Sequence, residues 1–131
     1  MATIRREVQI QAAPDQVWDA LRDVGALHTR LCPEFVVDTR MEGDTRMVTF
    51  ANGRQAKELI VSVDEDQRRV CWAIVDEPFV HYNGAAQVTP LGDGSCRFTW
   101  ISDLLPHELA PTVTAMIEAG IAAIKRKQEA A

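Results

Sequence analysis

The stretch that decides the fold is PHELAPTVTAMIEAGIAAIKRK, residues 106–127, near the end of the chain. Its apolar and small residues recur at spacings of three and four, which places them on one face of a helix. These residues are Leu109, Val113, Met116, Ile117, Gly120 and Ile124. Pro106 suits a first helical turn, and the cations at 125–127 suit the negative pole of a helix dipole. The sequence therefore predicts a helix about 30 Å long at 1.5 Å per residue.

Most of the chain before this helix has the pattern of short β-strands. Apolar residues alternate with polar ones, and turn-forming residues separate the runs. The predicted strands are 3–11, 35–41, 45–51, 54–63, 69–75, 79–89 and 95–104. Asn52-Gly53 reads as a two-residue hairpin turn. The connections are too short for crossover helices, so the sequence predicts an antiparallel meander.

Two short helices are predicted between the first and second strands. The segment Ala12-Ala13-Pro14-Asp15 opens the first helix, which Gly25 ends, and the second runs to about Arg30. The predicted fold is α+β: a curved seven-stranded antiparallel sheet wrapped around the long C-terminal helix, with the first strand beside the last. A strongly curved sheet cannot contact a straight helix along its whole length, so a cavity between them is expected.

The composition is that of a globular protein, and it excludes several kinds of partner. The 131 residues are 47% hydrophobic and 25% charged, which predicts a single domain over 1–131. A net charge of −5 without a long run of one sign argues against nucleic acid as a partner. No apolar run approaches the ~18 residues of a membrane span, and residues 1–10 lack the apolar core of a signal peptide, so a cytoplasmic location is expected.

The cysteines and histidines do not suggest a disulfide framework, a metal site or a cofactor. The three cysteines, Cys32, Cys71 and Cys96, are an odd number without CxxC spacing, and they are expected to be free thiols. The three histidines are scattered and do not form an HExxH-like motif. Neither a metal ion nor a cofactor is therefore expected.

Three segments carry a resemblance to a known family. They are APDQVWDALRDV (13–24), ANGRQAKELIVSVDEDQRRVCW (51–72) and HYNGAAQVTPLGDGSCRFTWISDLLP (81–106). Together with the final helix they resemble the START-like, or SRPBCC, superfamily, in its polyketide cyclase/dehydrase-like branch. The resemblance covers essentially the whole chain. It implies a helix-grip fold with an internal pocket for a small hydrophobic or aromatic ligand, and it does not imply a particular reaction.

Strand alternation gives an independent prediction of the residues that face the cavity. The inward set is Val48, Phe50, Val70, Trp72, Ile74, Val80, Tyr82, Gly84, Ala86, Val88, Cys96, Phe98, Trp100 and Ser102. Trp72, Tyr82 and Trp100 are expected to point toward the helix, and the small residues at 84–86 to leave volume unfilled. The alternative is a packed core of three aromatic side chains. The predicted ligand-binding residues are Glu58, Trp72, Tyr82, Trp100, Val113, Met116 and Ile117.

The position of Glu58 is the point on which two interpretations conflict. Alternation along 57–63 predicts Leu59, Val61 and Val63 on the inner face and Glu58 outside. The resemblance implies that a glutamate in a motif like AKELIVSVD faces the pocket. A bulge near 55–57 would reconcile the two. A buried Glu58 is a candidate general acid or base.

A second polar group is predicted on the opposite face of the sheet. His81, Asn83 and Asp103 lie on outward positions of neighbouring strands and are candidates for a surface hydrogen-bonded cluster.

Three functions remain open from the sequence. The first is a carrier or sensor that binds a small hydrophobic or aromatic molecule between sheet and helix. The second is an enzyme of the cyclase, aromatase or dehydratase kind, in which Glu58, helped by Tyr82, moves protons. The third is a homodimer or other protein complex formed through the exposed sheet face, without a ligand.

Overall fold

The computed structural model describes residues 2–131, which form one sheet, two α-helices and two short helical turns. In chain order these are β1 (Ala2–Ile10), α1 (Pro14–Arg22), a π-helical turn (Leu27–Leu31), β2 (Val36–Glu42), β3 (Thr45–Phe50), β4 (Gln55–Asp64), β5 (Arg69–Ile74), β6 (His81–Pro90), β7 (Cys96–Leu105), a 3₁₀ turn (His107–Leu109) and α2 (Ala110–Ala130). All neighbouring strands are antiparallel, in the order β1-β7-β6-β5-β4-β3-β2. The predicted seven-stranded α+β architecture, with the first strand beside the last, is confirmed.

The long helix begins and ends later than predicted. Pro106 has an extended backbone, and Pro111 instead occupies the first turn of α2. The predicted inner face is confirmed at Val113, Ile117, Gly120 and Ile124, which are buried, whereas Leu109 and Met116 are half-buried. The sequence did not indicate that Ile121, Ala123 and Gln128 are buried as well.

The basic residues near the end of α2 do more than complement its dipole. Lys125 donates a hydrogen bond of 2.7 Å from Nζ to the Gln9 carbonyl oxygen, and Arg126 forms an ion pair of 2.9 Å with Glu34. These contacts connect the helix to β1 and to the segment before β2. Lys127 alone lies in the last turn, where the predicted dipole interaction applies.

Gly120 sets how closely α2 approaches the sheet. A Cβ atom at this position would lie 2.8 Å from the Trp100 ring and 3.1 Å from the Phe35 ring. Only glycine therefore fits at this crossing, where the rings of Trp100 on β7 and of Phe35 pack directly against the helix backbone. The helix also packs along β1.

The short helix α1 is fixed by an apolar face and by Glu65. Its buried residues include Val17, Trp18 and Leu21. Glu65, in the turn after β4, accepts a 2.8 Å hydrogen bond from Trp18 Nε1 and a 2.7 Å hydrogen bond from Arg22 Nε. Both donors, Trp18 first, lower the pKa of the Glu65 carboxyl below its usual value.

The β3–β4 connection differs from the predicted two-residue turn, and the difference sets the register. Phe50 N–H donates to the Arg54 carbonyl oxygen at 2.8 Å, so Ala51, Asn52 and Gly53 form a three-residue loop. Gly53 has φ +87°, the left-handed conformation that such a loop needs at its last position. One extra loop residue shifts the pairing by one position and reverses the two faces of β4 as far as Ile60, where a second register shift follows.

This register reverses the predicted faces of β4. Arg46 lies opposite Glu58, and Glu58 is buried, whereas Leu59 is 38% and Val61 60% exposed. The prediction that Leu59 and Val61 face the core is therefore wrong, because it followed their apolar character and not the loop length. The bulge expected near 55–57 is also absent there within the described strand pairing.

The register shift within β4 comes later, between Ile60 and Ser62. Beyond it, Val63 pairs with Val70 on the inner side of the sheet, yet it remains 40% exposed near the strand end. Val63 therefore lies on the inner side as predicted, but only because the bulge between Ile60 and Ser62 reverses the alternation along β4.

One more predicted inward residue is exposed. Val80 is 80% exposed because β6 begins only at His81 and Val80 belongs to the loop before it. On β5, β6 and β7 the other predicted inward positions lie on the inner face, including Val70, Val88, Phe98 and Ser102.

The three cysteines are free, as expected, with Cys32 and Cys96 buried and Cys71 half-buried. Strand β6 lies between the strands that carry Cys71 and Cys96. No helix formed by residues 2–131 combines the length and the apolar character that crossing a bilayer requires.

Candidate functional site

A cavity of about 90 Å³, called here the inner cavity, lies between the sheet and α2. All seven residues predicted to bind a ligand line it, namely Glu58, Trp72, Tyr82, Trp100, Val113, Met116 and Ile117. The remaining wall is mostly apolar: Leu21, Leu27, Leu31, Cys32, Phe35, Val36, Arg46, Val48, Phe50, Phe79, Ala86, Phe98 and Ile124. The structure therefore brings the predicted residues together around one space.

The aromatic side chains do not fill this space. The rings of Trp72 and Trp100 meet edge to face, with centroids 5.8 Å apart, and Phe79 packs on Tyr82 at 4.9 Å. These are favourable aromatic geometries, so the cluster also stabilises the core. A cavity persists beside it, which the alternative of a purely packed core does not account for.

The small residues at 84–86 contribute less volume than predicted. A Cβ at Gly84 would lie 2.7 Å from the Trp72 indole, so the indole itself occupies the space that this glycine leaves. Ala85 lies opposite Cys71 and Ile101 on the other face of the sheet. Ala86 alone of the three lines the inner cavity.

The charged group of the site is an ion pair and not a lone glutamate. Arg46 Nε donates to Glu58 Oε1 at 2.8 Å, and the two side chains are only 5% and 8% exposed. Arg46 also donates from Nη1 to the Val24 carbonyl oxygen at 3.1 Å, and its guanidinium carbon lies 5.6 Å from the centroid of the Trp72 ring. Each buried charge thus has a partner, which offsets part of its desolvation cost.

Two polar atoms of this pair are left without a protein partner. Among residues 2–131, neither Glu58 Oε2 nor Arg46 Nη2 takes part in a hydrogen bond. Both residues line the inner cavity. A carboxylate oxygen that accepts and a guanidinium N–H group that donates are therefore available to a bound molecule.

Arg46 is a cavity residue that is absent from the predicted inward set. It precedes Val48 and Phe50 at the same two-residue spacing, so strand alternation along β3 is the signal that could have found it. The three-residue loop then places Glu58 directly opposite Arg46, as a pair of opposite charge on the inner face.

Tyr82 and Ser102 form a second, neutral polar group in the site. Tyr82 Oη lies 2.7 Å from Ser102 Oγ, and Trp100 Nε1 donates to the same Ser102 oxygen at 3.2 Å. Burial raises the pKa of Tyr82 to about 12, so its phenol carries a proton at neutral pH. The sequence placed Ser102 only among the inward positions and did not indicate its bond to Tyr82.

Cys32 is a further cavity residue that the sequence did not assign to the site. Burial raises the pKa of its thiol to about 12, and the nearby charge of Glu58 acts in the same direction while Arg46 opposes it. The side chain is therefore a neutral, weakly polar part of the wall, and not an activated nucleophile.

The predicted outer cluster is present on the opposite face of the sheet. His81 Nε2 and Asn83 Oδ1 are 2.6 Å apart, and Asn83 Nδ2 donates to Asp103 Oδ2 at 3.2 Å. Thr3 Oγ1 adds a 2.6 Å hydrogen bond to Asp103 Oδ1. These bonds, that from Thr3 first, lower the pKa of Asp103. The cluster is remote from the cavity, and His81 points away from it.

A second cavity, of about 100 Å³ and called here the outer cavity, adjoins the inner one. It lies between the loop before β6, the β3–β4 hairpin and the start of α2. The two cavities share four wall residues: Phe50, Phe79, Val113 and Met116. Within residues 2–131, no three His, Cys, Asp or Glu side chains are grouped as metal ligands.

Solved structures similar to this one share its fold over nearly the whole chain. A protein from Thermobifida fusca is 26% identical, with a TM-score of 0.78 over 99% of this chain and 91% of that one. Truncated norcoclaurine synthase from Thalictrum flavum is 20% identical, with a TM-score of 0.75 over 95% and 91% of the two chains. The di-domain ARO/CYC protein BexL is 18% identical, with a TM-score of 0.79 over 97% of this chain and 46% of that one.

A search among curated proteins finds no significant sequence match. A family model described as "Polyketide cyclase / dehydrase and lipid transport" matches residues 1–129. This match covers nearly the whole chain, and the chain therefore belongs to the polyketide cyclase/dehydrase and lipid transport family, as the resemblance of its sequence predicts.

Proposed function

We propose that this protein binds a small hydrophobic or aromatic molecule in the inner cavity, as a carrier or sensor. The observation that carries the proposal is a mostly apolar cavity in which Arg46 and Glu58 keep one free donor and one free acceptor. Apolar walls with a few convergent polar groups are typical of small-molecule sites. The family description, which includes lipid transport, supports the same function.

The size of the cavity limits the ligand. About 90 Å³ is well below the ~300–1,000 Å³ of typical ligand pockets, so a ligand larger than one ring must move side chains. Met116 is the side chain best suited to move, because it is one of the four residues that line both cavities and methionine adapts its shape readily. Its rotation would join the inner and outer cavities and admit a longer molecule from the side of the β6 loop.

An enzyme of the cyclase, aromatase or dehydratase kind is the second candidate. It is favoured by Glu58 Oε2, which has no partner among the described residues and belongs to a cavity-lining side chain. A carboxylate in that position can accept a proton from a bound substrate. Glu58→Gln separates the two functions: binding changes modestly, whereas a proton-transfer reaction slows on the order of a hundredfold or more.

A protein contact through the outer sheet face is the third candidate, and the exposed Leu59 and Val61 support it. Sedimentation at increasing protein concentration tests it. A homodimer weakened by Val61→Asp would support this face as the interface, and a monomer at every concentration would exclude self-association.

Binding is tested by titrating the protein with α-methylstyrene, a compact apolar aromatic compound, and following tryptophan emission. Trp72 and Trp100 line the cavity, so a bound ligand changes their surroundings. Ala86→Leu fills the cavity and should abolish binding. Ala85→Leu is the matched control, because Ala85 is the next residue and faces the other side of the sheet. Equal titration curves for both variants would contradict the proposed site, and absence of binding to the wild type would contradict the proposed function.

A further inference from the structure

We infer that the Tyr82 hydroxyl donates its hydrogen into the inner cavity, that Ser102 holds it in this orientation, and that the ligand carries a neutral carbonyl oxygen there. This inference rests on the proposed binding function and specifies the chemical class of the ligand. It follows from which acceptors the hydroxyl hydrogens of Ser102 and Tyr82 can reach.

The first step concerns Ser102, whose hydroxyl hydrogen needs an acceptor inside the protein. Ser102 is 0% exposed and is not among the described residues that line the inner cavity. Its oxygen already accepts the Trp100 Nε1 hydrogen at 3.2 Å. A buried hydroxyl that leaves its hydrogen unpaired loses the free energy of a hydrogen bond.

One acceptor is available to that hydrogen. Within residues 2–131, Tyr82 Oη, 2.7 Å away, is the only other hydrogen-bonding partner of Ser102 Oγ besides Trp100. Trp100 Nε1 is a donor and cannot accept. Ser102 therefore donates to Tyr82, because among the described residues Tyr82 Oη is the only acceptor that its hydrogen can reach.

The second step concerns the hydrogen of Tyr82 itself. With the phenol oxygen accepting from Ser102, its own hydrogen has no acceptor among the described residues. Tyr82 lines the inner cavity, so the cavity is where that hydrogen can find a partner. The proton stays in place at neutral pH because burial raises the pKa of Tyr82 to about 12.

The charge of the cavity wall determines which ligand group can accept the Tyr82 hydrogen. Arg46 is the one cation among the cavity-lining residues of 2–131, and its charge is already paired with Glu58 at 2.8 Å. A carboxylate ligand would thus add an unpaired negative charge to a buried site, at a high desolvation cost. A neutral carbonyl accepts the Tyr82 hydrogen without that cost. An aromatic or alicyclic ketone or aldehyde is the ligand class that fits.

The inference is tested with two probes of nearly equal shape, acetophenone and α-methylstyrene. They differ in having a carbonyl oxygen or a methylene group at the same position. The wild type should bind acetophenone roughly three- to tenfold more tightly, the effect of one hydrogen bond. Tyr82→Phe should lose the preference, so the readout is the ratio of the two affinities measured on the same variant. In the wild type, the carbonyl stretch of bound acetophenone should move to lower wavenumber, a readout that needs no variant.

The contrary outcomes are distinct from failure of the proposed function. If neither probe binds, the binding function itself fails. If both bind equally in the wild type, the carbonyl stretch is unshifted and Ser102→Ala gains a preference for acetophenone, then Tyr82 donates to Ser102 and the inferred orientation is overturned. If the preference survives in Tyr82→Phe, another group recognises the carbonyl and the inference is wrong.

Discussion

Strand β4 has a charged residue on its buried face and apolar residues on its exposed face, which is the opposite of the usual distribution. On the inner face Glu58 is buried beside Arg46, and on the outer face Leu59 and Val61 are in contact with solvent. A buried ion pair is often no more stabilising than well-packed apolar residues of the same volume. The presence of the inner pair is therefore weak evidence for a stabilising role, and the proposed role of its free polar atoms in ligand binding offers another reason for it. The outer face shows that apolar character in a strand does not by itself identify the core.

The largest expected effect on stability comes from introducing a carboxylate at a buried position, compared with the same change on the exposed face of β4. Ile117→Asp puts an unpaired carboxylate on the buried face of α2, at a cost of several kcal/mol against a total stability of ~5–15 kcal/mol. Val61→Asp makes the same kind of change at an exposed position and should shift stability by less than about 0.5 kcal/mol. Thermal melting of both variants checks this, and similar melting temperatures would mean that the two faces are wrongly assigned.

The next effect tests the inner ion pair. Arg46→Met leaves Glu58 buried without its partner and should cost about 3–5 kcal/mol. Changing both residues, Arg46→Met with Glu58→Leu, should recover most of that loss while removing the polar groups of the cavity. The exposed pair Arg5–Glu7 is the control, because Arg5→Met should cost at most about 1 kcal/mol. Urea unfolding gives all three values. A double variant as unstable as Arg46→Met would show that the pair itself, and not the uncompensated charge, stabilises the fold.

A smaller effect is the dependence of stability on alkaline pH. Burial raises the pKa of Cys32 to about 12 from an ordinary value of 9.0, so the folded state keeps a proton that the unfolded state loses between these values. Stability is therefore complete below pH 9 and falls as the pH rises toward 12, by up to about 1.4 kcal/mol per pH unit from this thiol. Denaturant unfolding at a series of pH values should show a shallower decline for Cys32→Ala. A slope as steep as that of the wild type would mean that Cys32 is not the group responsible.

The smallest effect belongs to the outer cluster. Asn83→Ala removes one of the hydrogen bonds that lower the pKa of Asp103 and should move that pKa upward, toward its ordinary value. The bond from Thr3 Oγ1 remains, so the shift is partial. Nuclear magnetic resonance titration of the Asp103 carboxyl measures it, and ligand binding in the cavity should be unchanged. An altered affinity for α-methylstyrene would contradict the separation of the two faces.

The sheet, the long helix and most of the cavity wall could be predicted from the sequence, because each follows from a regular spacing of apolar residues. Alternation placed Trp72, Tyr82 and Trp100 inward correctly, and the three-and-four spacing did the same for Val113 and Ile117. The same spacing does not predict which face of β4 points inward, because one extra residue in the loop that ends at Gly53 shifts the pairing of the strands by one position. The resemblance placed Glu58 correctly at that point, since it did not depend on the turn.

Strand and helix patterns do not predict individual side-chain contacts between elements. The direction of the hydrogen bonds around Ser102 depends on how β6 and β7 align, which strand patterns leave undetermined. Phe79 and Cys32 lie in irregular segments, where no repeating pattern indicates which way a side chain points.

The most direct test of a ligand site on the inner face is the set of nuclear Overhauser effects between α-methylstyrene and the protein. A ligand in the inner cavity should show contacts to Trp72, Trp100 and Met116, and these should be lost in Ala86→Leu but not in Ala85→Leu. Contacts to Leu59 and Val61 on the outer face, or no contacts at saturating ligand, would contradict the proposed site.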